Sequence, residues 1–116
     1  MACPNKIRNE TQLNIVFQEI LSDSLIVCAY TKEFLKSLKK IDKSILSKLF
    51  KKIEQIFTNP GVGKHMCANR SGQQEVYIAD AFRLYYSFNE KENLIEFLEF
   101  SHKKHQRIFL IFFLFA

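Results

Sequence analysis

Apolar positions recur at two different periods along this chain. Between Thr11 and Leu21, the residues Leu13, Val16, Phe17, Ile20 and Leu21 fall at helical spacing, with Thr11 as the expected N-cap. Ser22-Asp23-Ser24 breaks that pattern, and Leu25–Tyr30 is a compact apolar run with β-branched residues that reads as a buried strand. Thr31 is placed to cap a helix with Phe34, Leu35, Leu38 and Ile41 on one face. Asp42 is placed to cap a second helix, whose stripe runs through Ile45, Leu46, Leu49, Phe50, Ile53, Ile56 and Phe57. Asn59-Pro60-Gly61 ends it, because the residue before a proline is disfavoured in helix.

After a polar loop, Gly61–Gly72, the period falls to two. Glu75–Ile78, Phe82–Phe88 and Leu94–Phe100 read as strands, joined by Ala79-Asp80-Ala81 and by the polar turn Asn89–Asn93. Sequential strands with short connections pair antiparallel. The long apolar stripe of the helical pair has to be covered by one face of that sheet. The expected fold is α+β: a helical hairpin packed on a small twisted antiparallel sheet, in the order β-α-α-β-β-β, with an extra N-terminal helix. Alternation sets Phe82, Leu84, Tyr86 and Phe88 on one face and Arg83, Tyr85 and Ser87 on the other. The last strand is apolar in both phases, so alternation assigns it no inner face.

Composition narrows the class. A chain of 116 residues fits one domain, with a core at about 24–106, an N-terminal extension at 1–23 and an apolar tail at 107–116. With Gly at 3 and Pro at 2, a linker-dominated chain is excluded, and 12 Phe without Trp predict a Phe-rich core. Cys3, Cys28 and Cys67 are odd in number, far apart and without a CxxC pair. That pattern argues against a disulfide framework or a zinc ribbon and fits a reducing cytoplasm. No signal peptide is visible in the polar first residues, and the apolar run Ile108–Ala116 is shorter than the ~20 residues that span a bilayer, so no membrane is expected as a partner.

Charge adds a partner class. The net charge of +5 favours anionic partners. Lys32, Lys36, Lys39, Lys40, Lys43, Lys48, Lys51 and Lys52 stand against Glu33, Asp42 and Glu54 along the helical pair. This strip reads either as a solvated face or as a surface that attracts phosphates without sequence preference. Arg83, mid-strand among aromatic residues, is either paired with Glu75 or Glu99 or aimed into an anionic site. His102 is followed by Lys103, Lys104 and His105, and an imidazole among cations suits proton transfer beside a phosphate. The same lysines repel a metal ion, which makes a metal site at His102 and His105 the poorer reading. The three glycines form no phosphate-binding loop, and no Ser nucleophile elbow occurs.

These residues also carry a resemblance. Thr31–His105 resembles the RelE/ParE superfamily of toxins from bacterial and archaeal toxin–antitoxin systems. The matching features are the Lys-rich helical pair ending in Asn59-Pro60, the loop Gly63-Lys64-His65-Met66, the strand Phe82-Arg83-Leu84-Tyr85-Tyr86 and the closing pair His102-Lys103. The order and spacing of these motifs are more specific than any one of them. The resemblance implies ribosome-dependent cleavage of messenger RNA, in which the RNA's own 2′-OH attacks the neighbouring phosphate and no metal or other cofactor is needed. It assigns Arg83 to phosphate charge and His102 to general acid or base work. Lys64 and Glu75 would be further catalytic groups, Glu75 as base or orienting partner. His65, Arg70, Tyr85, Lys103, Lys104 and His105 would hold RNA. It also implies a cognate antitoxin, with ribosome and mRNA as the target. Many members carry a second Arg where Ile78 stands, so a basic group is either missing or supplied by Lys64, His65 or Lys103. Two alternatives follow: a ParE-like inhibitor of DNA gyrase that acts by contact, and an inactive homologue that only binds an antitoxin.

Overall fold

A computed structural model describes residues 4–22 and 24–103. The first helix, α1 (Glu10–Leu21), is capped by Asn9, whose side chain accepts a hydrogen bond from the Gln12 N–H at 2.9 Å. The helix therefore starts before Thr11, because an earlier, stronger capping residue satisfies a free N–H of the first turn. A short strand, β1 (Val27–Tyr30), follows. Leu25, expected inside it, lies outside and is 87% exposed.

The helical pair forms where the sequence predicts. Thr31 caps α2 (Lys32–Leu38), its hydroxyl accepting from the Phe34 N–H at 3.1 Å. Asp42 caps α3 (Lys43–Thr58) through the Ile45 N–H at 3.0 Å. Leu46, Leu49, Phe50, Ile53, Ile56 and Phe57 of α3 are all buried. A 3-10 turn at Pro60–Val62 overlaps the start of the expected loop, and a two-residue strand, β2 (Lys64–His65), lies within it. The meander is β3 (Gln74–Ile78), β4 (Phe82–Asn89) and β5 (Leu94–His102).

These strands make one five-stranded sheet in the order β1-β5-β4-β3-β2. The antiparallel expectation holds from β2 to β5, whereas β1 pairs with β5 in parallel. The helices between β1 and the meander return the chain so that β1 runs alongside the last strand rather than its sequence neighbour. A register shift opposite Tyr85 and Tyr86 leaves Leu98 as an extra residue in β5. Ile95 and Phe97 before the bulge and Phe100 after it are thus all buried. That one-residue change of phase explains why alternation cannot assign this strand's inner face. Thr31 braces the bulge, its hydroxyl donating to the Leu98 carbonyl at 2.6 Å.

The core is built on phenylalanine. Phe17 of α1 meets the rings of Phe34, Phe50, Phe57 and Phe97 at centroid distances of 5.6–6.5 Å. The N-terminal helix therefore closes the same core as the helical pair and the sheet. Among the described residues, no helix is long and apolar enough to cross a membrane.

Candidate functional site

The sheet face turned away from the helices carries the site. Residues directly opposite one another across paired strands share a face, so register places Lys64, Glu75, Tyr85 and Glu99 in one row across β2, β3, β4 and β5. The next row holds Tyr77, Arg83 and Ser101. Four residues singled out in the sequence (Lys64, Glu75, Arg83 and Tyr85) are brought together in this way.

Charge on this face is organised in two clusters. Arg83 Nη1 lies 3.8 Å from Glu75 Oε2, and Glu75 is only 4% exposed at its side chain while Arg83 is 26% exposed. That Oε2 is buried and makes no hydrogen bond, so the carboxylate retains accepting capacity beside a cation. A hydrogen bond with the Tyr85 side chain, and then the charge of Glu75, hold the Arg83 pKa above its ordinary value against the opposing effect of burial. Of the two carboxylates considered for Arg83, the structure selects Glu75. Glu99 instead binds Arg70, Oε2 to Nη2 at 2.6 Å.

Arg70 sits in the loop that crosses this face. Its guanidinium stacks 3.6 Å from the centre of the Tyr85 ring, and its Nη1 donates to Gln73 Oε1 at 3.0 Å. The segment 66–73 is thereby strapped over the sheet, and Arg70 covers Tyr85, which is buried on a face that bears no helix.

Other expected residues go elsewhere. His102 is opposite Phe82, on the helix side of the sheet, with its ring edge-on to Phe82 at 4.9 Å. It does not share a face with Arg83. His65 is opposite Gln74, also on the helix side, and is exposed. Lys103 is half-buried, and its N–H binds the Ala81 carbonyl at 2.7 Å. Lys104, His105 and the apolar tail lie outside the described residues.

Ile78 also changes meaning. It is 2% exposed in the core, so a basic residue there would enter the apolar interior. The position that flanks Arg83 on the open face is Tyr77, over whose ring the Arg83 guanidinium sits at 5.4 Å. Tyr77 is not among the residues singled out from the sequence, although its spacing of two from Glu75 marks it for the same face.

The loop ahead of Lys64 is held by a buried polar knot. The Tyr86 hydroxyl donates to the Pro60 carbonyl at 2.8 Å and accepts from the Gly63 N–H at 2.9 Å. Gln74 Nε2 reaches Pro60 O and Gly63 O from the same side. Lys64 therefore leaves a fixed point on the sheet. Among the described residues, no three His, Cys, Asp or Glu side chains gather to hold a metal.

Comparison with known proteins extends this geometry. The family described as ParE toxin of type II toxin–antitoxin system, parDE, matches residues 29–107. No curated protein matches. Among solved structures, the fold is similar to the toxin–antitoxin complex RelBE2 from Mycobacterium tuberculosis, with a TM-score of 0.60 at 19% identity, covering 67% of this chain and 98% of that one. The isolated RelE toxin of Escherichia coli superposes with a TM-score of 0.58 at 11% identity, over 75% of this chain and 98% of that one. YafQ from Escherichia coli strain BL21(DE3) gives 0.57 at 17% identity, over 70% and 97%.

Proposed function

This chain belongs to the ParE toxin family of type II toxin–antitoxin systems, and from that premise we propose that it is a metal-independent endoribonuclease acting on translated messenger RNA. The observation that carries this reading is the convergence of Lys64, Glu75 and Arg83 on the sheet face that bears no helix. Glu75 takes the proton of the RNA 2′-OH as that oxygen attacks the adjacent phosphorus. Arg83 compensates the charge gathering on the phosphate oxygens. The bond from phosphorus to the 5′-oxygen breaks, and the Lys64 ammonium returns a proton to that oxygen, leaving a 2′,3′-cyclic phosphate and a 5′-hydroxyl. His102 stands on the other side of the sheet and is not assigned to this step. A cognate antitoxin is the expected partner, and the assembly of the similar RelBE2 toxin with its antitoxin supports it.

Expression in cells tests this directly. Growth should arrest with new cuts in translated messages. Arg83→Ala and Glu75→Gln should each lower cleavage by a factor on the order of 10² or more, with the circular dichroism spectrum retained. His102→Ala should still cut.

A second reading has its own support: the Arg83 charge is already matched by Glu75, as suits a contact surface better than a phosphate site. A ParE-like inhibitor of DNA gyrase would block supercoiling and leave messages intact. Loss of supercoiling with uncut messages would replace the ribonuclease assignment.

A further inference from the structure

A groove lies between α2 and the ends of β4 and β5, on the opposite side of the sheet from the Glu75–Arg83 pair. It encloses about 340 Å³, and its lining includes Glu33, Lys36, Lys40, Phe82, Phe100 and His102. That volume falls within the range of small-ligand sites, ~300–1,000 Å³. One wall is aromatic: Phe82 stacks on Phe100 at 5.2 Å with the planes 16° apart, and His102 meets Phe82 edge-on. The other wall is cationic. Lys36 lies in the last turn of α2 and Lys40 just beyond its end, both exposed, and neither forms an ion pair among the described residues. Glu33 lies one turn before Lys36 on the same rim and is likewise without an ion pair among the described residues.

We propose that this groove binds a nucleotide. The aromatic wall built by Phe82, Phe100 and His102 suits a base, because every base has a face to lay against a ring. Lys36 and Lys40 suit its phosphate. The Glu33 carboxylate, an acceptor on the same rim, suits the hydroxyl donors of a ribose. An acidic peptide would meet the same two lysines but would leave the aromatic wall unused and face Glu33 with like charge. The nucleotide is either free or one unit of a single RNA strand, and both present the same chemistry. The site is separate from the open sheet face and gives His102 a place in binding rather than in proton transfer.

Titration of the full chain, followed by two-dimensional NMR, tests the proposal. The probes are AMP, inorganic phosphate and a single-stranded RNA pentamer. AMP and the pentamer should shift His102, Phe82 and Lys36, with phosphate alone binding about tenfold more weakly because it lacks the stacked base. A pentamer tighter than AMP assigns the site to an RNA strand, and equal affinities assign it to a free nucleotide. Lys36→Ala with Lys40→Ala, and separately Phe82→Leu, should each weaken AMP by about tenfold, whereas Lys51→Ala on α3 should not. The double lysine variant alters only exposed positions, so it remains decisive if Phe82→Leu fails to fold. Shifts confined to other residues, phosphate binding as tightly as AMP, or undiminished binding by the double lysine variant would overturn the assignment. None of these readouts uses toxicity, so the failure of this site and the failure of the ribonuclease reading are distinguishable.

Discussion

Gly63 has no room for a side chain. A Cβ there would lie 2.7 Å from the Tyr86 hydroxyl and 2.9 Å from Gln74 Cβ, both within a buried knot. Gly63→Ala should therefore cost about 1–3 kcal/mol in urea unfolding, as overpacking does. Tyr86→Phe removes a hydroxyl that serves Pro60 and Gly63 at once, and should cost about 1–3 kcal/mol by leaving those groups short of a partner. Cys28 has a different environment, for burial pushes its thiol up to about 12 from 9.0. Iodoacetamide at pH 8 should label exposed Cys67 and spare Cys28 until the chain unfolds. The sign of the linked stability is negative with rising pH. Between 9.0 and about 12 the unfolded thiol has lost its proton while the folded one keeps it, so stability falls across that window. Cys28→Ala should flatten that decline relative to the native chain.

The elements show where a local pattern meets a distant partner. α1 contributes Phe17, 4% exposed, to a ring cluster drawn from α2, α3 and β5. Phe17→Ala should thus cost about 3–5 kcal/mol on thermal or urea unfolding, as for other buried aromatic truncations. The strap over the sheet is a weaker element. Its ion pair, Arg70 with Glu99, is about a third exposed on each side, so Arg70→Ala should change global stability by less than about 1 kcal/mol. Amide exchange in residues 66–73 should nevertheless accelerate, because the stack on Tyr85 is lost as well. Thr31 has two tasks: it caps α2 and ties that cap to the bulge at Leu98. The cap was legible in the sequence, since Thr before an amphipathic run is a local signal. The bulge was not, since it depends on how β5 meets β4.

At the scale of the molecule, one sheet separates two chemistries. The open face pairs Arg83 with Glu75 and Arg70 with Glu99, while the helix side holds the core and, at one end, the groove of Phe82, His102, Lys36 and Lys40. The Lys-rich helical pair adds a positive surface beside that groove. If both faces meet a single RNA strand, binding should weaken by about tenfold or more as salt rises from about 50 to about 200 mM, through release of counterions from several phosphates. Filter binding across that range measures the slope.

The helices with their caps at Thr31 and Asp42, the meander, the α+β class and the face that carries Arg83 and Tyr85 are all written in the local pattern of residues. Each of these follows from periods and caps that act within a few residues. Long-range strand pairing sets the rest: β1 joins β5 in parallel, Leu98 shifts the phase of the last strand, Ile78 is core while Tyr77 neighbours Arg83 on the helix-free face, and His102 faces the helices. These outcomes depend on register between strands distant in the chain, and a one-residue slip moves a side chain to the other face. The same reason divides the predicted site: Lys64, Glu75, Arg83 and Tyr85 share a face by strand pairing, and His102 belongs to the other.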